Sequence, residues 1–135
     1  MARPYRWQNR IRFVDTDASQ RIHYTAMFRH FEAAEQEFLR DMGCPYSAPE
    51  FRDYSFPRVH VECDFTAEIR YDDIIDIELT VERVGTSSFT ISFLVTVDAR
   101  PVAKGKITVV SIDKQTQKPC RIPDRLVEVL RAHLA

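Results

Sequence analysis

Between Ala26 and Met42 the apolar residues Met27, Phe28, Phe31, Ala34, Phe38, Leu39 and Met42 recur three and four apart. Only an α-helix puts residues at that spacing on one face, so the stretch reads as a helix with a broad apolar stripe. Arg29, Glu32, Glu35, Gln36 and Arg40 fall opposite and read as its solvated side. Thr25 is the expected N-cap, and Gly43 followed by Pro45 stops the helix. At 1.5 Å per residue it is about 25 Å long. No other long helical pattern precedes the C-terminus, so whatever covers this one stripe decides the fold.

Strands supply the cover. Residues 5–14 alternate, with Tyr5, Trp7, Ile11 and Phe13 on one side and Arg6, Gln8, Arg10 and Arg12 on the other. Residues 58–66 set Val59, Val61, Cys63 and Phe65 against Arg58, His60, Glu62 and Asp64. Residues 76–84 and 87–97 repeat the pattern through Ile77, Leu79 and Val81, then Phe89, Ile91, Phe93, Val95 and Val97. A further β-rich run covers 101–112, and Gly85-Thr86 forms a hairpin connection. Residues 44–57, with three prolines, read as a loop, and Leu126, Leu130 and Leu134 mark a short terminal helix opened by Pro123. Short connections imply antiparallel neighbours. The expectation is an α+β fold: an antiparallel sheet of about five strands wrapped around one long helix, as a single domain over residues 1–135.

Composition narrows the function. A net charge of -1 lacks the basic excess of a general nucleic-acid binder. No apolar run nears the ~18 residues of a membrane span, and residues 1–12 lack the apolar block of a signal peptide. Cys44, Cys63 and Cys120 are an odd number without a CxxC, which fits neither a disulfide framework nor a zinc site. His23, His30 and His60 have no metal-ligand spacing. A cytoplasmic protein without metal is expected.

The densest polar chemistry is the stretch Asp15-Thr16-Asp17-Ala18-Ser19-Gln20-Arg21-Ile22-His23-Tyr24, after a strand and before the helix. A carboxylate there can act as nucleophile or general base, while free N–H groups at the helix start stabilise an oxyanion. Asp and Ser ahead of a helix serve equally well as caps and turn formers, so the residues alone leave both roles open.

Asp15-Thr16-Asp17-Ala18, Ile22-His23-Tyr24, Phe28-Arg29-His30-Phe31-Glu32 and Glu37-Phe38-Leu39-Arg40 together resemble hotdog-fold acyl-CoA thioesterases of the 4-hydroxybenzoyl-CoA thioesterase-like family. Asp72-Asp73, Val84-Gly85-Thr86-Ser87-Ser88 and Arg121-Ile122-Pro123 extend the likeness over nearly the whole chain. The resemblance implies hydrolysis of an acyl-CoA, aliphatic or aromatic, with no cofactor beyond the CoA of the substrate. It places the catalytic aspartate on Asp17, as nucleophile or general base, and the backbone oxyanion donor on Tyr24. His23 and Thr25 beside that turn, and Ser87 and Ser88 at the hairpin, are the candidate substrate contacts. It further implies a homodimer or homotetramer with sites at subunit interfaces. Gln20 stands where the family has glycine, implying a different turn, and Ala26 and Met27 stand where it has asparagine and an aromatic. A non-catalytic acyl-CoA binder and a hotdog dehydratase or hydratase are the competing readings.

Overall fold

The computed structural model describes residues 3–135; Met1 and Ala2, the start of the segment read above for a leader, lie outside the described residues. The chain runs β1 (Tyr5–Arg10), α1 (Ala26–Asp41), β2 (Tyr54–Ser55), β3 (Arg58–Phe65), β4 (Ile74–Val84), β5 (Ser88–Val97), β6 (Arg100–Val110), β7 (Ile112–Asp113) and α2 (Asp124–Ala132). Five strands form one antiparallel sheet in the order β1-β4-β5-β6-β3, while β2 and β7 make a separate small ribbon. Among the described residues no helix is long and apolar enough to cross a membrane.

The alternation read from the sequence decides which sheet face is covered. Ile75, Ile77, Leu79 and Val81 of β4, Phe89, Ile91, Phe93 and Val95 of β5, and Ile107 and Val109 of β6 are buried, as are Met27, Phe31, Ala34 and Phe38 of α1. The Phe31 ring stacks on Phe93 with centroids 4.3 Å apart. It also lies over Gly105, where a Cβ would come within 2.5 Å of both the ring and the Glu62 carbonyl. Glycine at this point lets α1 settle onto the sheet.

Four expectations need correcting. β1 ends at Arg10, and Phe13–Asp15 form a 3-10 turn. The Arg12 N–H bonds to the Asp15 carboxylate instead of a neighbouring strand, so the chain leaves the sheet and Phe13 stands 76% exposed. Glu35, read as solvated, is 0% exposed. The 44–57 loop closes over that flank, where the Tyr46 hydroxyl and the Arg58 guanidinium both donate to Glu35 Oε2. Burial alone would lower the Arg58 pKa, but the adjacent Glu35 carboxylate raises it above its ordinary value. β3 alternates as read but is an edge strand, which leaves Val59, Val61 and Phe65 exposed. Burial does push the Cys63 thiol up to about 11, so it stays protonated and inert. The fourth correction concerns Thr25, whose side chain makes no capping bond.

The arginine row of β1 has partners within the chain. Arg6 pairs with Glu78 at 2.6 Å, Arg10 with Asp72 at 3.1 Å, and Gln8 donates to Asp76 at 2.9 Å.

Candidate active site

Asp17 sits on a short loop pinched at its base by a bridge between Thr16 and Ile22. Its N–H bonds to the Arg21 carbonyl at 3.0 Å, and its carbonyl accepts the Gln20 N–H at 2.9 Å. Gln20 takes a φ of 65°, the left-handed conformation that glycine adopts freely. A side chain there costs about 1 kcal/mol. The Asp17 side chain is exposed, and its Oδ1 accepts the Ser19 N–H at 2.8 Å and the Ser19 hydroxyl at 2.5 Å. These two bonds, the hydroxyl's foremost, hold the carboxyl below the usual carboxylate range. Among the described residues no protein donor reaches Oδ2.

The entry to α1 leaves the same bridge. The His23 N–H bonds to the Asp15 carbonyl at 2.7 Å, and the His23 carbonyl accepts the Ala26 N–H at 2.9 Å. The ring Nδ1 of His23 accepts the Thr25 N–H at 3.2 Å and pairs with Thr25 Oγ1 at 2.8 Å. His23 thus does the capping that the sequence assigned to Thr25. The Tyr24 ring stacks on His23 at 4.6 Å and is 68% exposed. Among the described residues no protein group accepts from the Tyr24 N–H, although the N–H groups on either side of it are bonded. It is an orphan donor at the positive end of a 16-residue helix.

Asp17, His23, Tyr24 and Thr25 therefore share one locality, and Ser87 and Ser88 do not. Arg10 at the Asp17 end of β1 pairs with Ile74, the first residue of β4, whereas the serines follow Val84, its last. Ten residue steps at ~3.3 Å put the two ends about 33 Å apart. At the far end the Ser87 carbonyl accepts the Ser111 N–H at 2.8 Å, and Arg83 donates to the Ser88 hydroxyl at 3.0 Å.

A model of the thioesterase-like superfamily matches residues 11–130. The chain belongs to that superfamily. A 1,4-dihydroxy-2-naphthoyl-CoA hydrolase of Synechococcus sp. (strain CC9605) is 30% identical to this thioesterase-like chain over 128 residues, covering 90% of this chain and 86% of the relative. The crystal structure of an Aquifex aeolicus protein matches with a TM-score of 0.88 at 31% identity, over 94% of this chain and 99% of that one. A 1,4-dihydroxy-2-naphthoyl-CoA thioesterase from Synechocystis shares the fold, with a TM-score of 0.87 at 17% identity over 94% and 95% of the two chains. The hotdog architecture implied by the sequence resemblance is the architecture of this chain.

Beneath the exposed groups of this candidate site in the thioesterase-like chain lies a buried polar pair that the sequence reading passed over. Asp15 and His30 are each 5% exposed, with His30 Nε2 3.3 Å from Asp15 Oδ1. Burial, partly opposed by Asp15, lowers the His30 pKa and keeps the ring neutral. The signal was present: His30 falls four residues after Ala26 and four before Ala34, inside the apolar stripe.

Proposed function

We propose that this protein hydrolyses an acyl-CoA thioester to the free acid and CoA, with Asp17 as catalytic carboxylate and the Tyr24 N–H as oxyanion donor. One observation carries the reading: an exposed carboxylate held as the anion shares a loop with an unbonded backbone donor at a helix N-terminus. Asp17 Oδ2 attacks the thioester carbonyl carbon, and the carbonyl oxygen takes up the charge against the Tyr24 N–H. Collapse of the tetrahedral intermediate breaks the C–S bond and expels the CoA thiolate, leaving a mixed anhydride. Water then hydrolyses the anhydride. The Ser19 bonds engage Oδ1 and keep Asp17 ionised, which leaves Oδ2 free to attack. An aromatic acyl group is the favoured substrate, supported by the naphthoyl ester named for the Synechococcus relative and by the exposed Tyr24 ring.

The separation of Asp17 from Ser87 and Ser88 supports an assembly of at least two chains. Antiparallel pairing of two β3 edges about a two-fold axis sets the Asp17 end of one protomer beside the hairpin end of the other. The exposed Val59, Val61 and Phe65 on that edge supply apolar surface for such pairing, and a homotetramer follows from stacking two such dimers.

The test is thiol release from acetyl-, hexanoyl-, palmitoyl- and benzoyl-CoA. Benzoyl-CoA should be turned over fastest, and Asp17→Asn should lower kcat by about 10² or more. Tight binding without release would make the protein an acyl-CoA binder. Turnover that survives Asp17→Asn would overturn the assignment of the catalytic group.

A further inference from the structure

We propose that His30 and Asp15 are positioning residues for hydrolysis: they hold the oxyanion donor and the Asp17 loop in register, an inference that rests on the reading of Asp17 and Tyr24 given above. The Asp15 carboxylate spends Oδ2 on the Arg12 N–H at 2.8 Å, which sets the 3-10 turn. Its Oδ1 is left to His30 Nε2 at 3.3 Å, with the half-exposed Arg29 guanidinium 3.5 Å away. On the far side of the ring, His30 Nδ1 lies 3.3 Å from the Asn9 side-chain amide nitrogen. An amide NH2 can only donate, so Nδ1 accepts and the ring proton belongs on Nε2, facing Asp15. Nε2 is buried and makes no well-aligned hydrogen bond among the described residues; Asp15 Oδ1, at 3.3 Å, is the carboxylate oxygen it faces.

This relay joins three elements: Asn9 on β1, His30 on α1 and Asp15 in the turn between them. It then continues through the backbone, because the Asp15 carbonyl accepts the His23 N–H and the His23 ring accepts the Thr25 N–H. The free Tyr24 N–H lies between those two fixed points. A shift of Asp15 therefore turns the Tyr24 peptide and moves the base of the Asp17 loop together.

Stability gives little reason for a polar pair here. Every close neighbour of His30 on the stripe, namely Ala26, Met27, Phe31 and Ala34, is apolar and fully buried. Apolar residues at both positions would continue that packing without the desolvation penalty of a sealed carboxylate and ring. What an apolar pair cannot do is orient the Asp15 carbonyl.

The experiment compares His30→Gln and His30→Asn using benzoyl-CoA, or whichever of the four esters the wild-type protein hydrolyses. Glutamine keeps a donor near the Nε2 position toward Asp15, whereas asparagine keeps only the acceptor toward Asn9. His30→Asn should lower kcat about tenfold or more with KM within about twofold, and His30→Gln should retain kcat within about threefold. Asn9→Leu, at a half-buried strand position, frees the ring to adopt the other tautomer. It should lower kcat severalfold at unchanged KM, and it serves if His30→Asn does not fold. Equal kcat in the two His30 variants, or a loss confined to KM, overturns the proposal. Asp17→Asn run alongside separates the two readings: if it abolishes turnover while His30→Asn and Asn9→Leu do not, only the positioning role fails.

Discussion

Asp15 and Asp17 carry the same side chain two residues apart, yet one is sealed beneath α1 and the other stands in solvent. Ser19 defines the second environment. Its hydroxyl and N–H bond the ionised form of Asp17 and hold the pKa down, so the anion persists to lower pH than an ordinary aspartate allows. Ser19→Ala removes the larger of these bonds and should raise the Asp17 pKa. The acid limb of the pH–rate profile then moves to higher pH, while kcat on the alkaline plateau changes little. A limb that stays in place would mean that Asp17 does not titrate in the reaction. Glu35 makes the contrasting case, because the helical period alone assigned it to solvent. That period reports position around an axis, not what a later loop lays against the axis. With Glu35 fully buried against Arg58, Glu35→Ala should destabilise by about 3–5 kcal/mol in urea unfolding, since it strands a cation. Glu35→Leu combined with Arg58→Met should cost clearly less.

Among the elements, α1 and the long strands β4, β5 and β6 were legible because each has a buried face that imposes its own period on the residues. The end of β1 was not. Phe13 continues the alternation in type, but the Arg12 N–H has turned toward a side chain, and no hydrophobic pattern records that exchange. His23 as the helix cap was hidden for a similar reason: it bonds through a ring nitrogen, outside the usual set of capping residues. The loop carrying Asp17 stands out as a candidate site only through the family resemblance, since caps and turns use the same residues. The contact between α1 and the sheet yields a test at this scale. Phe31→Ala should cost about 3–5 kcal/mol. Gly105→Ala should cost about 1–3 kcal/mol by pushing the Phe31 ring and the Glu62 carbonyl apart. The double variant should cost less than the sum, because removing the ring clears part of the space; strict additivity in thermal or urea unfolding would contradict the packing described.

For the whole molecule, an edge strand with Val59, Val61 and Phe65 uncovered bears on assembly more than on folding. Val61→Lys places a charge on that edge without burying it, so the protomer should keep its thermal stability. Light scattering should nevertheless show a shift from dimer toward monomer, and specific activity should fall on dilution where the wild-type protein holds its own. An active, stable wild-type monomer would refute the shared site. The separation of about 33 Å between the two ends of β4, one beside the Asp17 loop and the other at the 85–88 hairpin, has a genetic counterpart. If each site takes its carboxylate from one chain and its hairpin from the other, a subunit disabled at Asp17 and a subunit disabled at Ser87 and Ser88 are each dead as homodimers. Mixed by unfolding and refolding together, they form hybrids in which one site carries both lesions and the other carries none. Two silent parents would then yield an active hybrid with about half the turnover of the wild-type dimer.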